Sequence, residues 1–549
     1  MRWLIRALAM LGALGAIVYG LQVGSAWSDR RWLQALGVAG ILLIIAWWPS
    51  GTRRFSTFNR SLLRLSTILL VAFALISVQL VRVQIVQSER TLERSQVTES
   101  GEVIMNPRAR LEADPKLRGS ILDRNGTVLA EQVTDEAGTR RVYPEPAAFG
   151  LLGYYSPALY GSAELEAALD EELSGEGAGN PLSEWLDDLL HRERRGYDAE
   201  LTIDLALQQQ AIAMLGERRG AVVLMDAATG EILVLASTPT YDPNPLYTDI
   251  ESSEEQLGAA RAYWNNLIAR EDAPLLQRAT NGLYVPGSTF KMVTATALLN
   301  EGLAGIDTLF RDEGILEVDG RVIIELNRPD ESRVDWTLEE SFAYSLNVVF
   351  ARIGLELGAE LLTEYAERFG IGSELPFILN TAPSQLHAEG SDLRTNRTLV
   401  ADTAFGQGEL LVSPLQMAMI GAAIANDGVM MEPMIVSAIR DEDGDVIERR
   451  RPDDWRRVMN AETAAAMHQL MVASADYGYA SAAQIEGLTV GGKTGTAETA
   501  DGDPHAWFVG YAQDGERTLV AAVIVEHGGS GGATALPIGR DLLASAFAS

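Results

Sequence analysis

Three apolar runs at the N-terminus, Leu4–Val23, Trp32–Trp48 and Leu62–Val81, constrain the fold of this chain more than any other feature. Each has about 17–20 residues, near the length a helix needs to cross a bilayer. Trp3, Trp27, Trp32, Trp47 and Trp48 sit at the run ends, where aromatic rings meet the membrane interface. Arg2 and Arg6 mark the N-terminus, and Arg53, Arg54, Arg60 and Arg64 crowd the second loop. The positive-inside rule makes both segments cytoplasmic, so three spans (4–23, 32–48, 62–81) deliver the chain after Arg82 to the outside. A cleaved signal peptide is the competing reading. It fits less well, because two more spans follow and no convincing cleavage site is present.

The remaining chain is long enough for more than one domain. The net charge of the 549 residues is −31, yet residues 1–84 hold nine Arg and one acid, so the body is even more acidic than the whole. That argues against a nucleic-acid binder. The absence of Cys excludes disulfides, thiolate metal sites and cysteine nucleophiles, and five His without His-Glu-x-x-His argue against a zinc hydrolase. Of the 44 Lys and Arg only three are Lys: Lys116, Lys291 and Lys493. A surviving Lys marks a candidate for a compact amine able to lose its proton, although drift in base composition explains the general depletion equally well.

The pattern divides the chain into an anchor (1–84), a polar region (85–218) and a larger unit (219–549). In the polar region, Asn125-Gly126 between two apolar runs predicts a hairpin, and Leu165, Leu169 and Leu173 predict a helix over Ser162–Leu173, followed by a Gly-rich loop over Ser174–Asn180. The larger unit opens with two buried strands at Gly220–Asp226 and Glu231–Ser237. Helical patterns follow at 288–300, 338–357, 359–368 and 414–426. Strands return at Leu488–Val490, His505–Tyr511 and Leu519–Val525, and a helix closes the chain at about Ile538–Phe547. Two strands, many helices, three strands and a last helix predict an α+β sheet with a helical insert.

Three constellations carry chemistry. In Pro286-Gly287-Ser288-Thr289-Phe290-Lys291 the glycine ends an irregular segment, and Ser288 and Lys291 share one face of the helix that follows. The helix N-terminus and burial disfavour a protonated amine, so a neutral Lys291 can take the Ser288 proton. A capping Ser and a solvated Lys give the same four letters. In Ser345-Leu346-Asn347, a turn between helices would aim both side chains into one cleft; a simple helix cap is the alternative. In Gly491-Gly492-Lys493-Thr494-Gly495-Thr496, a cation and two hydroxyls suit a carboxylate. Gly487 completes a formal phosphate-loop spacing, but strand residues run through 488–490 and no helix starts at Gly495.

Two of the three lysines fall inside these motifs, which occur in the order Ser-x-x-Lys, Ser-x-Asn, Lys-Thr-Gly. Together they resemble the penicillin-binding serine acyltransferase superfamily. The flanks Arg278-Ala279, Tyr284, Phe405-Gly406-Gln407-Gly408, Ser413-Pro414-Leu415-Gln416-Met417-Ala418 and Trp507-Phe508-Val509-Gly510 look like its transpeptidase form. Arg118–Ala130 resembles the start of the pedestal in class B, monofunctional, penicillin-binding proteins. The resemblance spans about 110–549, and three N-terminal spans depart from the family's usual one.

The resemblance implies a penicillin-binding transpeptidase domain, with a five-stranded antiparallel sheet, on a pedestal or dimerisation-like domain. It implies a peptidoglycan D,D-transpeptidase in the plasma membrane with its catalytic domain extracytoplasmic, serving cell-wall biogenesis. Ser288 would attack the carbonyl between two D-alanines of a stem peptide. Lys291 would be the general base, Ser345 a proton relay, and Asn347 would hold the substrate backbone and orient Lys291. Lys493, Thr494, Gly495 and Thr496 would form the carboxylate site, with the N–H groups of Ser288 and Thr496 as the oxyanion hole. β-Lactams would acylate Ser288. No metal or organic cofactor is implied, and a polytopic membrane glycan polymerase is the implied partner. A D,D-carboxypeptidase or β-lactamase shares the three motifs, and a non-catalytic β-lactam sensor or scaffold is a further reading. His505 and His527 read as loop histidines, 527–532 as a flexible loop, and Asp441–Asp445 as a solvated hairpin turn.

Overall fold

The computed structural model describes residues 2–21, 28–49, 55–82, 96–97, 103–104, 118–135, 138–175, 195–499 and 502–548. Lys116 and most of the 174–180 loop lie outside them. The chain forms two units, Met1–Ala113 and Asp114–Ser549.

In the first unit the three apolar runs are helices, Arg2–Leu21, Ser28–Trp47 and Thr57–Val81. Among the described residues, one stretch, Thr57–Leu80, is long and apolar enough to cross a membrane; Trp3–Tyr19 and Trp32–Trp47 are apolar but shorter. Small residues let these helices approach: a Cβ on Gly12 would stand 3.2 Å from Leu42, and one on Gly40 would stand 2.9 Å from Leu75. Trp32 donates its indole N–H to Gln79, and the Arg82 guanidinium lies 4.9 Å over the Trp32 ring.

The second unit begins with a six-stranded sheet in the order Val446–Arg449, Val436–Arg440, Asp198–Leu201, Ile121–Leu122, Val128–Asp135, Gly138–Val142. Its outer two strands come from the middle of the 219–549 segment, so the chain ties the pedestal-like region to the larger unit by ladder hydrogen bonds. The Asn125-Gly126 hairpin forms as expected, with Gly126 at φ 81° and Asp123 accepting the N–H groups of Asn125 and Thr127 at 2.9 and 2.7 Å. Leu165, Leu169 and Leu173 are fully buried, as their spacing predicts, but the helix is broken into Glu164–Ala168 and Asp170–Ser174. Beneath it a buried Glu166 binds Arg141 at 2.6 Å, Arg118 at 2.7 Å and the Tyr143 hydroxyl at 3.1 Å, so the carboxylate and guanidinium charges are paired.

The central sheet has five strands: β1 (Gly220–Asp226), β2 (Ile232–Thr238), β3 (Thr489–Ala497), β4 (His505–Gln513) and β5 (Thr518–Val525). Their order is β2-β1-β5-β4-β3, antiparallel throughout. Period two splits each strand between two cores. Val222, Leu224 and Val523 pack with Leu207, Leu215 and Leu542 of the helices Leu205–Leu215 and Gly531–Ala548. Val223, Met225 and Val520 pack with Met417 and Ile420 of the helix Pro414–Ala425. Both faces are covered, which is why these strands read as unbroken apolar runs.

Three local readings change. The pattern 338–357 is two helices, Leu338–Ala343 and one that opens at Asn347, because Ser345 takes a left-handed backbone at φ 58°; the break expected before 359–368 is present as a kink at Gly358, φ 74°. The last helix begins at Gly531 rather than near Ile538, shortening the supposed loop. His505 is the first residue of β4 and half-buried, whereas His527 does lie in a turn. The exposed Asp441–Asp445 segment is the turn expected, with the Asp441 N–H donating to the Asp445 carbonyl at 3.0 Å.

Candidate active site

The nucleophile motif folds as a 3₁₀ turn, Gly287–Phe290, running into the helix Lys291–Asn300. Gly287 has φ 56°, and a Cβ there would lie 2.8 Å from the Thr496 carbonyl oxygen. A Cβ on Gly495 would lie 2.8 Å from the Pro286 carbonyl oxygen. The two glycines therefore let the turn bearing Ser288 press backbone-to-backbone on the edge strand β3. That contact brings the first and third motifs together, although they are two hundred residues apart. Trp507 on β4 donates its indole N–H to the Val285 carbonyl at 2.9 Å, fixing the turn from below.

Ser288 is half-buried, whereas Lys291 is fully buried. The Lys291 Nζ donates to the Ser345 carbonyl at 2.6 Å, to the Asn347 Oδ1 at 2.8 Å and to the Ser345 Oγ at 3.1 Å. Ser345 and Asn347 flank the bend between two helices, as the cleft reading requires, and the positive φ of Ser345 turns its carbonyl and side chain toward the same amine. Lys493, on β3, is also fully buried, and its Nζ donates to the Ser345 Oγ at 2.9 Å. One hydroxyl thus joins two amines.

Burial holds the Lys291 amine far below the usual lysine range, and the Lys493 charge presses it the same way; Glu325 opposes both. Burial alone brings Lys493 down to about 7. The Lys493 amine therefore exchanges a proton readily at neutral pH, and burial favours the neutral form of Lys291.

On β3, Thr494 is half-buried and Thr496 exposed, with Gly495 between them. The third motif is therefore strand, not a loop after a strand, and a phosphate loop is ruled out. The Thr496 Oγ1 accepts from the Gly531 N–H at 3.4 Å, and Gln407 Nε2 donates to the Thr496 carbonyl at 3.5 Å. The flank Phe405–Gly408 thus lies at the same edge. All eight residues expected from the sequence fall on the turn, the bend and the edge strand that meet here.

Several residues here were not legible in the sequence. Glu526 ties Arg278 (2.7 Å), Tyr284 (2.8 Å) and Arg219 (3.2 Å) beside the turn. Asn327 donates to the Ser345 carbonyl at 2.9 Å, and the Tyr479 hydroxyl donates to the Asn327 carbonyl at 2.8 Å. Glu526, Asn327 and Tyr479 sit in no motif, and only the folded chain brings them to the cleft.

Residues 220–544 match the penicillin binding protein transpeptidase domain, and residues 118–199 match the penicillin binding protein A dimerisation domain. The peptidoglycan D,D-transpeptidase PbpA of Mycolicibacterium smegmatis is 33% identical over 466 residues, covering 80% of this chain and 92% of that protein. The crystal structure of PBPA from Mycobacterium tuberculosis, 30% identical, covers 79% of this chain and 100% of that one with a TM-score of 0.72. A ceftriaxone acyl-enzyme complex of penicillin-binding protein A from the same organism, 31% identical, covers 77% and 97% with a TM-score of 0.70. The buried Lys291–Ser345–Lys493 cluster beside this sheet, with these likenesses over most of the chain, shows that the protein belongs to the penicillin-binding protein transpeptidase family, in its class B form.

Proposed function

We propose that the protein is a peptidoglycan D,D-transpeptidase that works through an acyl-enzyme on Ser288. The observation that carries this reading is the buried Lys291 amine held by Ser345 and Asn347, with Lys493 on the same Ser345 hydroxyl. A neutral Lys291 has two N–H bonds for the Ser345 carbonyl and the Asn347 oxygen. Its lone pair is then free to accept a proton from a hydroxyl.

The reaction follows from that arrangement. Ser288 Oγ attacks the carbonyl between the two terminal D-alanines, and its proton moves to Lys291 Nζ. The backbone N–H groups of Ser288 and Thr496 take the developing oxyanion. Lys291 returns the proton through Ser345 Oγ to the departing D-alanine nitrogen as the C–N bond breaks. An amine of a neighbouring stem peptide then attacks the acyl-serine, gives its proton to Lys291, and Ser288 leaves reprotonated. Lys493, Thr494, Gly495 and Thr496 hold the terminal carboxylate, and Asn347 the stem backbone. A β-lactam enters as a peptide whose leaving group stays attached, so the acyl-enzyme persists.

In this reading the third N-terminal helix is the anchor; the arginines before it support a catalytic unit on the outer side of the plasma membrane, where a polytopic membrane glycan polymerase is the expected partner. A chain without cysteine offers a direct check: Glu255→Cys in intact cells is expected to react with a membrane-impermeant maleimide, and protection until lysis would reverse the topology. Activity is tested by labelling the detergent-solubilised protein with a fluorescent penicillin. Label lost in Ser288→Ala and stable for many minutes supports the transpeptidase. Rapid release of label would indicate a hydrolase, and unlabelled folded wild type a scaffold.

A further inference from the structure

Between the first two motifs lies a small hairpin, Ile315–Val318 paired with Arg321–Ile324. Its ladder continues through the Glu325 N–H, which donates to the Gly314 carbonyl at 2.9 Å. The next residues stay extended, and side chains alternate. Leu326 is 84% exposed, whereas Glu325, 7% exposed, and Asn327 turn inward. The hairpin register thus delivers two polar side chains to the bend of the second motif.

They grip that bend at both ends. Asn327 Nδ2 donates to the Ser345 carbonyl at 2.9 Å, and Glu325 Oε2 accepts the Val348 N–H at 2.9 Å. Glu325 Oε1 accepts the Asn327 N–H at 3.0 Å, locking the pair to each other. Ser345 and Asn347, the residues that hold Lys291, are thus one gripped position and the residue just before the other. The bend needs such a restraint, because Ser345 stands in a left-handed conformation that is unfavourable for a non-glycine residue.

A buried carboxylate there also acts by its charge. The charged groups that bear on the pair are Lys291, Lys493 and Asp312. Burial pushes the Glu325 carboxyl up, Lys291 and the two N–H bonds pull it back, and Asp312 adds to the upward push. Its negative charge is the one that offsets Lys493 at the Lys291 amine.

We propose that Glu325 is a positioning residue for this reaction: with Asn327 it clamps the Ser345–Val348 bend onto Lys291, and its buried carboxylate acts on that amine through its charge. The proposal rests on the transpeptidase reading and deepens it. The test is the second-order rate of acylation by a fluorescent penicillin, measured against pH in detergent-solubilised full-length wild type, Glu325→Gln, Glu325→Asp and Asn327→Ala. Removing the carboxylate charge makes Lys291 lose its proton more readily. Glu325→Gln is therefore expected to move the acid limb of the profile to lower pH. Its plateau is expected to fall about ten-fold or more, since an amide presents a donor to one of two N–H groups. Asn327→Ala and Glu325→Asp are expected to lower the plateau while the limb stays in place. A Glu325→Gln profile with the wild-type limb, whatever its plateau, overturns the proposal, and so does a limb moved upward. If Glu325→Gln does not give the wild-type near-ultraviolet circular dichroism, Glu325→Asp and Asn327→Ala carry the test, and wild-type plateaus in both overturn it. Wild type that does not acylate at any pH sinks the transpeptidase reading instead, a separate outcome.

Discussion

Ser345 offers the sharpest test of the site, because its side chain and its backbone make separable demands. Its Oγ lies 3.1 Å from the Lys291 amine and 2.9 Å from the Lys493 amine, and its φ is 58°. Ser345→Ala and Ser345→Gly delete the same hydroxyl. Two buried hydrogen bonds at about 1–1.5 kcal/mol each come to about 2–3 kcal/mol, or about 30–150-fold in acylation rate if both serve the transition state. The loss is expected to be equal in the two variants. Stability separates them. Alanine keeps a left-handed backbone strained by about 1–2 kcal/mol, whereas glycine does not. The smaller unfolded-state entropy of alanine recovers part of this, leaving Ser345→Gly ahead by about 1 kcal/mol. In a unit of this size that is a melting temperature about 1–2 °C higher. The assays are penicillin acylation and thermal unfolding of the same preparations. Wild-type acylation in either variant would refute the bridging role, and Ser345→Ala melting at or above Ser345→Gly would refute the strain argument.

Further substitutions probe the surrounding frame. A Cβ on Gly406 would stand 1.7 Å from the Gly287 carbonyl oxygen, so Gly406→Ala is expected to destabilise by about 2–4 kcal/mol and to abolish labelling; a folded, fully labelled variant would disprove the packing of the nucleophile turn. Arg278 is 2% exposed, so Glu526→Gln leaves its charge buried and underpaired, at a cost of about 3 kcal/mol read from urea unfolding at pH 7. The Glu526 carboxyl is held below its usual range in the fold, against a burial effect that would raise it, by Arg278, Tyr284 and Arg219. Its stabilisation is therefore complete above the ordinary carboxylate pKa and lost as pH falls through the lowered one, and the wild-type minus Glu526→Gln difference should shrink over that interval. Lys493, brought to about 7 by burial, binds fewer protons folded than unfolded between about pH 7 and the ordinary lysine value. Stability rises with pH across that window, and Lys493→Met should flatten the rise, stabilise at pH 7 and abolish acylation; an unchanged pH slope would count against the depressed amine.

How the sequence displays this site depends on the reach of each signal. Lys291 and Lys493 stand out because lysine is nearly absent elsewhere, and Ser288, Ser345, Asn347 and Thr494–Thr496 stand at fixed spacings from their partners. Such spacings are local, and local geometry is what a sequence encodes directly. The same holds for the apolar runs of β1 and β5, the Asn125-Gly126 turn and the N-terminal helices. At 344–346 the sequence offers two readings, a helical period that runs through 338–357 and a turn at Ser345-Leu346-Asn347, and only the positive φ of Ser345 decides for the turn.

What the tertiary structure alone decided is which distant segments meet. The six-stranded sheet draws strands from residues 121–142, 198–201 and 436–449, and no periodicity announces a ladder that pairs Ala438 with Glu200. Glu325 and Asn327 have no motif; they matter because a hairpin register aims them at a bend two decades of residues away. Glu526 reads as an ordinary acid at a strand end until Arg278, Tyr284 and Arg219 close around it. Sequence patterns record what a residue does with its neighbours in the chain. The depressed amines of Lys291 and Lys493 come first from burial, and burial belongs to the packed fold rather than to any stretch of sequence.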